Sequence, residues 1–376
     1  MFAAFIVATL VTASPLSRAW LALPMAVIAT AAIYSIYIGF SEIRVPFSIL
    51  ASILVLYTLF IFHGITKPDN IELIARVFIF IPVSFTLIFL FPTVLDVENF
   101  LKFISLLAGT IVFIGIPGAI VGNAIPLISV HTTTSVFGLS FYIIESTFYN
   151  PNPFAELAFF GTISSLVWFK GSTVRRGLIA ICALGLFLAQ SRAAFLAVSA
   201  AVFVYVAGNY LNREYFHQLI SGCLLLGTIS YLMLLQLIPG PSILERIYLA
   251  GRLDIWHAAI EAVKARPILG HGPGDLPTIV GAFAEGSVGA GIYNSFLRLF
   301  VTTGVLGGLC YVYLFVYSIT NHAKLKLDRE SLIVHSLTIG FVVNELFTGN
   351  SMFGLSTTSV IGAVLIGYLL SDIVAD

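Results

Sequence analysis

The chain has 376 residues, of which 59% are hydrophobic and only 10% are charged, and its formal net charge is zero. Soluble domains carry about 25% charged residues, so this composition excludes an ordinary soluble protein and indicates one that crosses a membrane many times. The zero net charge gives no general attraction to nucleic acid. All three cysteines stand in apolar runs, which fits neither a disulfide framework nor metal-ligand spacing: Cys182, Cys223 and Cys310.

Long apolar segments follow one another along the whole chain. A spanning helix needs about 20 apolar residues, because lipid offers the backbone no hydrogen-bond partner. The sequence therefore predicts an all-α polytopic membrane protein, a single integral membrane domain over residues 1–376 with about twelve transmembrane helices. The predicted spans lie near residues 2–14, 19–40, 46–65, 73–92, 100–121, 154–169, 176–190, 192–208, 216–238, 292–319, 331–348 and 355–371.

The polar residues Gln190-Ser191-Arg192 interrupt a stretch that could otherwise form one long helix. An arginine in the middle of a bilayer costs about 2.5–3.5 kcal/mol. We therefore expect the helix to break here, with Arg192 at a tight hairpin tip near the membrane surface.

Segment 122–153 is interpreted as a loop that ends at Asn150-Pro151-Asn152-Pro153, a sequence typical of entry to a helix. Asn152 has two interpretations, a cap before Pro153 or a substrate-binding residue. Glu156 stands one turn further on, either in a site or at the membrane interface.

Basic residues predict how the chain is oriented, because cytoplasmic loops carry an excess of lysine and arginine. They cluster between the sixth and seventh spans and between the tenth and eleventh, at Lys170, Arg175, Arg176, Lys324, Lys326 and Arg329. With the N-terminus inside, both clusters are cytoplasmic. Arg192 and the loops 122–153 and 239–291 then face outward.

Segment 239–291 is the longest polar interruption and is predicted to be a periplasmic loop of short amphipathic helices. Between Ser242 and Arg266, apolar residues recur at helical spacing along one stripe of a helix, and charged residues that include Asp254 lie along another stripe. This helix either lies flat on the membrane with its tryptophan at the headgroups or belongs to a site. Arg252, beside Gly251, is a candidate for binding an anion.

The run Gly270-His271-Gly272-Pro273-Gly274-Asp275 resembles a phosphate loop only superficially, because no Gly-Lys-Ser/Thr follows it. Its glycines permit a turn that brings backbone close to a substrate. His271 is interpreted as a base, a hydrogen-bond donor or a residue that fastens the loop. Asp275 is a further acidic candidate.

Polar residues also open the tenth span, at Tyr293, Asn294 and Arg298. Asn294 and Arg298 are four apart and share a helix face. Together with Arg192 and Arg252, Arg298 completes a set of three outward arginines. Guanidinium groups bind phosphate oxygens in pairs, which predicts a diphosphate clamp; the alternative is that the arginines extend to lipid headgroups.

Three groups of motifs, in order, resemble the O-antigen ligase/polymerase superfamily of bacterial envelope glycosyltransferases (the Wzy and WaaL type). They are Gln190-Ser191-Arg192-Ala193-Ala194-Phe195-Leu196, then Gly251-Arg252-Leu253-Asp254-Ile255-Trp256 with Pro267-Ile268-Leu269-Gly270-His271-Gly272, then Tyr293-Asn294-Ser295-Phe296-Leu297 with Thr303-Gly304-Val305-Leu306-Gly307. Asn150-Pro151-Asn152 also fits that family's loop before a span. The resemblance covers roughly residues 150–310.

The resemblance implies a GT-C-like glycosyltransferase of the bacterial inner membrane, independent of metal and of any other cofactor, with its active site facing the periplasm. Its donor would be a glycan linked to undecaprenyl diphosphate and its acceptor another glycan or a lipid, with membrane lipids around it and a chain-length regulator as a possible protein partner. Arg192 and Arg252 match the family's essential arginines and would stabilise the departing diphosphate.

The chain departs from the family at Tyr293, where members commonly have a histidine that is the proposed base of the ligases. Tyrosine has a pKa near 10 and is a poor base at neutral pH. Either His271 or an acid such as Asp254 or Asp275 replaces that histidine, or the donor needs little base assistance. This favours a polymerase of O-antigen or exopolysaccharide repeat units over a ligase acting on lipid A core. The alternative from another class is a lipid-linked oligosaccharide flippase.

Overall fold

The computed structural model describes residues 45–66, 77, 80–122, 128–136, 138–148, 150–241, 251–274, 276–284, 291–325, 327–354 and 356–375. The described chain is largely helical and contains a two-stranded sheet. The predicted spans 2–14 and 19–40 and the candidate residue Asp275 lie outside the described residues.

The helices, in chain order, are α1 (Phe47–Thr66), α2 (Phe80–Val94), α3 (Val97–Gly115), α4 (Gly118–Val121), α5 (Pro151–Ser164), α6 (Thr173–Ala189), α7 (Arg192–Tyr210), α8 (Arg213–Leu234), α9 (Arg252–Ala265), α10 (Leu276–Gly281), α11 (Ser295–His322), α12 (Arg329–Glu345) and α13 (Thr357–Ala375). Among the described residues, six helical segments are long and apolar enough to cross a membrane: α1, α3 continued by α4, α7, α8, α11 and α13. The all-α membrane class is therefore confirmed, and the number twelve stays a prediction.

Each predicted span from 46–65 onward overlaps one of the helices α1 to α13. The predicted break after the seventh span is confirmed, since α6 ends at Ala189, Gln190 adopts a left-handed φ of 53°, and α7 begins at Arg192. The helices on the two sides of this turn pack against different neighbours. Helix α6 packs on α3 and α5, whereas α7 packs on α5 and α12, so the turn is tight but does not join a closely packed helical hairpin.

Strands β1 (Ser129–Val136) and β2 (Leu139–Ser146) form an antiparallel hairpin inside segment 122–153, which was predicted to be a loop. The strands are rich in β-branched and aromatic residues, and Gly138 supplies the positive φ that a tight hairpin turn requires. Strand β2 packs on α3, α4, α5 and α6. The Ser146 hydroxyl donates to the Ile111 carbonyl at 3.1 Å, so the hairpin covers one end of this helical group.

Helices α3, α5 and α6 approach one another closely because Gly161 has no side chain. A Cβ added at Gly161 would lie 2.3 Å from the Ala108 Cβ and 2.7 Å from the Cys182 Sγ. Small residues at helix contacts are typical of membrane bundles, where tight packing drives association. Cys182 is thus a core residue, and all three cysteines are free thiols, as expected.

The loops of the bundle separate into two ends. At one end, Arg329 at the start of α12 donates to the carbonyls of Leu166 and Trp168, which follow α5. At the other end, the turn before α7 meets the start of α5, where the Ser191 hydroxyl donates to Asn152 Oδ1 at 2.9 Å. Loops predicted to share a side of the membrane therefore contact one another.

Candidate functional site

The 346–349 segment, which directly follows α12, is the backbone around which the site is built. The last carbonyls of a helix have no partner inside the helix, and here side chains from another element supply one. Asn294 Nδ2 donates to the Leu346 carbonyl at 3.0 Å. The Ser295 hydroxyl donates to the Thr348 carbonyl at 3.1 Å. The start of α11 is thereby fastened to the end of α12.

Two arginines bind the remaining carbonyls of the 346–349 segment. Arg252 Nη1 donates to the Phe347 carbonyl at 3.0 Å, and Arg298 Nη1 donates to the Gly349 carbonyl at 2.8 Å. The C-terminal end of a helix carries partial negative charge, which favours guanidinium groups there. The carbonyls of residues 346 to 349 thus accept hydrogen bonds from motif residues in two distant parts of the chain.

Asn294 holds α8, α11 and α12 together at this point. It is fully buried, its Oδ1 accepts the Leu297 backbone N–H at 2.9 Å as the cap of α11, and its Nδ2 also donates to the Tyr231 hydroxyl. Asparagine is among the preferred caps because its short side chain reaches the free N–H groups of the first turn. The capping residue therefore also fixes α8 beside the site.

Trp256 places α9 in the same assembly. Its indole is fully buried, donates to the Ile292 carbonyl at 2.9 Å, and contacts the rings of Tyr231 and Phe347. An indole at the headgroups would stay partly exposed. The alternative of a helix lying flat on the membrane does not fit this burial, so α9 is a packed part of the fold.

Helix α11 is interrupted at Gly304, and segment 267–272 enters the interruption. Val305 N–H donates to the Pro267 carbonyl at 2.7 Å, and His271 N–H donates to the Val301 carbonyl at 2.8 Å. A Cβ at Gly304 would lie 2.2 Å from the Ile268 carbonyl oxygen. The glycine-rich turn predicted from sequence exists, but the backbone that it approaches here is that of α11.

A cavity of about 680 Å³ lies beside the 346–349 segment, within the size range of small-molecule sites. Its wall combines amide, hydroxyl and charged side chains with aromatic rings. The polar members are Asn150, Asn152, Glu156, Tyr293, Arg298, Thr302, Thr348, Asn350 and Ser351, and the apolar rings are Phe60, Phe80 and Phe353. This surface can offer several hydrogen bonds to a polar ligand while packing against its apolar faces.

Arg252 contacts one residue of the cavity wall, and Arg192 lies near Arg252. The Arg252 guanidinium stands 5.4 Å from the ring centre of Tyr293, which lines the cavity and adopts a left-handed φ of 46°. Burial lowers the pKa of Arg252 from its usual value, and the positive charge of Arg192 lowers it further. Since charges influence one another appreciably only at short range, the two arginines predicted to act together lie near each other.

Asn152 connects the cavity to the Arg192 turn. The interpretation of Asn152 as a helix cap is wrong, because Asn150 caps α5 and its Oδ1 accepts the Asn152 N–H at 2.9 Å. The Asn152 side chain instead accepts the Ser191 hydroxyl, next to Arg192, and lines the cavity.

His271 and Asp254 stand apart from the cavity lining. One ring nitrogen of His271 bonds the Ala262 carbonyl at 2.8 Å, and the ring contacts Phe283 edge-on. This geometry matches the interpretation of His271 as a residue that fastens the loop. Asp254 is exposed in the first turn of α9. Their catalytic roles stay predictions.

The polar residues after α12 were not among the predicted site residues. Thr348, Gly349, Asn350 and Ser351 all line the cavity. A short polar stretch between two predicted spans, on the same side as Arg192, was the signal that could have identified them. Glu156, which the sequence left open, also belongs to the wall.

These elements define a multi-pass membrane protein with a polar, aromatic-lined cavity bordered by arginines. Residues 177–312 match the Wzy_C family model, described as O-antigen ligase, and this match supports the resemblance to the O-antigen ligase/polymerase superfamily. The motifs at 190–196, 251–272 and 293–307 all fall inside the matched segment. A search of curated proteins gave no match.

Proposed function

We propose that this protein is a membrane glycosyltransferase that polymerises O-antigen or exopolysaccharide repeat units carried on undecaprenyl diphosphate, at the periplasmic face of the bacterial inner membrane. The supporting observation is that Arg298 lines the cavity, Arg252 stands at the ring of Tyr293 in the cavity wall, and Arg192 lies near Arg252. Two of the three elements that carry these arginines are also fastened to the same 346–349 segment.

The arginines act on the leaving group in this proposal. The acceptor hydroxyl attacks the anomeric carbon of the donor sugar, the bond from that carbon to the phosphate oxygen breaks, and the electron pair leaves with the lipid diphosphate. Guanidinium groups placed where this negative charge develops lower the barrier. One guanidinium N–H of Arg252 donates to the Phe347 carbonyl. Its other guanidinium N–H groups donate to no side chain or carbonyl in the described parts of the chain.

The cavity fits a glycan better than an apolar ligand. Sugars present hydroxyl groups at their edges and C–H faces above and below the ring. The amides of Asn152 and Asn350 and the hydroxyls of Thr302 and Ser351 can bind the former, and the ring of Phe353 can pack on the latter. We assign the cavity to the sugars and the Arg192–Arg252 pair to the diphosphate.

Polymerase and ligase differ in the acceptor. Polymerase is preferred because Tyr293 stands where the ligases commonly have their proposed base, and ligation to lipid A core is the second candidate. Purified protein supplied with a lipid-linked repeat unit alone should form products longer than one repeat. Products that appear only after a lipid A core acceptor is added would instead establish a ligase, and no transfer under either condition would exclude both.

The proposed orientation places α9 in the periplasm and the turn after α11 in the cytoplasm. We expect a cysteine introduced by Ala265→Cys to react with an impermeant thiol reagent in whole cells whose outer membrane is permeabilised, since Ala265 is exposed. The matched control is Lys324→Cys, also exposed, which should react only after lysis. Both variants need Cys223 and Cys310 replaced by serine, while the buried Cys182 is retained. The reverse pattern of labelling would invert the topology.

A further inference from the structure

Glu156 is a buried acid in the wall of the proposed sugar cavity. It lies one helical turn after Asn152 on α5 and is fully buried. Among the described residues that line the cavity, Glu156 is the one that carries a carboxyl group. Its Oε2 accepts hydrogen bonds from the Thr358 hydroxyl at 2.5 Å and from Asn350 Nδ2 at 3.0 Å. Its position is therefore fixed from two sides.

The other oxygen of this carboxyl lacks a partner. Glu156 Oε1 is buried and accepts no hydrogen bond of ordinary geometry from the described residues, although the side chains of Asn344 and Thr348 lie close to the carboxyl. A buried polar atom without a partner is destabilising, and more so when it belongs to a charged group. An unpaired oxygen on an otherwise well-held side chain in a cavity wall indicates that a ligand group completes its hydrogen bonding.

Asn350 donates to this carboxyl from within the cavity wall. It follows Gly349, is partly exposed, and lines the same cavity. A sugar hydroxyl that draws the Asn350 amide aside would reach Glu156. Hydrogen bonds at catalytic groups are often formed fully only once the substrate is bound.

A second buried acid lies near Glu156 on a neighbouring helix. Glu345 at the end of α12 is influenced by the charges of both Glu156 and Arg298. Glu345 is also fully buried, but it does not line the cavity. Of these two neighbouring carboxyl groups, Glu156 is the one in the cavity wall.

We propose that Glu156 is the proton acceptor for the attacking sugar hydroxyl, an inference that rests on the proposed function. As the hydroxyl oxygen bonds to the anomeric carbon, its proton passes to the Glu156 carboxylate, and the electron pair of the breaking carbon–oxygen bond leaves on the lipid diphosphate. After product release, the proton returns to solvent.

The test compares Glu156→Gln with Glu345→Gln in purified full-length protein acting on a lipid-linked repeat unit. We expect Glu156→Gln to lower kcat by about 100-fold or more, with little change in KM, and to remove the rise of kcat with pH. Glu156→Asp keeps a carboxyl group and should recover part of kcat together with the pH dependence. Glu345→Gln should keep the wild-type pH profile.

Several outcomes would overturn the inference. An active wild type with a Glu156→Gln variant of equal kcat and unchanged pH profile removes Glu156 from the reaction. Equal losses in Glu156→Gln and Glu156→Asp, accompanied by equally lowered melting temperatures, assign Glu156 a structural role instead. A wild type that neither extends the repeat unit nor transfers it to an acceptor overturns the proposed function itself.

Discussion

Replacement of Arg252 with alanine is expected to lower kcat on a lipid-linked glycan by about 1,000-fold or more while the protein remains in the membrane. Arginines that stabilise a departing or transferring phosphate contribute factors of this order. The Arg252 guanidinium lies near Arg192 and on the ring of Tyr293, which lines the cavity. Arg192→Ala should reduce turnover in the same way, and because Arg192 is exposed its removal should cost little stability.

The control for this loss is Arg266→Ala, which removes an exposed arginine just after the other end of α9 and should leave turnover unchanged. Arg252→Lys keeps the charge but loses the planar fork, so it should recover only a small part of the activity. Glycan ladders from a complemented strain and kcat of the purified variants are the measurements. Full-length ladders in both Arg192→Ala and Arg252→Ala would end the diphosphate-clamp proposal.

Hydropathy located the long apolar helices of the described residues. A backbone in lipid must satisfy its hydrogen bonds within its own helix, so the predicted spans from 46–65 onward each overlap a helix. The cost of Arg192 in mid-bilayer also placed the break before α7 correctly. The β1–β2 hairpin was missed because its mixture of threonine and aromatic residues was interpreted together with the polar loop around it, although a positive-φ glycine separates two runs of β-formers.

The grouping of the site could be predicted only in part. The sequence motifs identified Arg192, Arg252, Asn294 and Arg298 as candidates. Nothing local in the motifs specifies that Arg252, Asn294 and Arg298 donate to one backbone segment. That segment contributes carbonyl groups, which every residue has, so its sequence carries no distinctive side chain. The pairing of Glu156 with Asn350 joins positions far apart in the chain and needed the fold to become visible.

Gly304→Ala is the substitution expected to harm the fold most. Gly304 has φ 69° and ψ −171°, a region that essentially only glycine adopts. A Cβ there would also lie 2.2 Å from the Ile268 carbonyl oxygen and 2.4 Å from its carbon. Both are backbone atoms of the inserted segment 267–272, so neither can turn away. Backbone strain and the clash together should destabilise the protein by about 3 kcal/mol or more.

The loss should extend to activity. The Val305–Pro267 hydrogen bond and the inserted segment 267–272 position the first half of α11. That half carries Arg298 and is capped by Asn294. Gly227→Ala on α8 is the matched control. An added Cβ there meets nothing within 4 Å, so alanine should leave stability unchanged or raise it by about 1 kcal/mol. Melting temperature and yield of monodisperse protein in detergent measure the difference. Equal melting temperatures for the two variants would mean that segment 267–272 does not occupy the break in α11, and the arrangement of the arginines would then lose its structural basis.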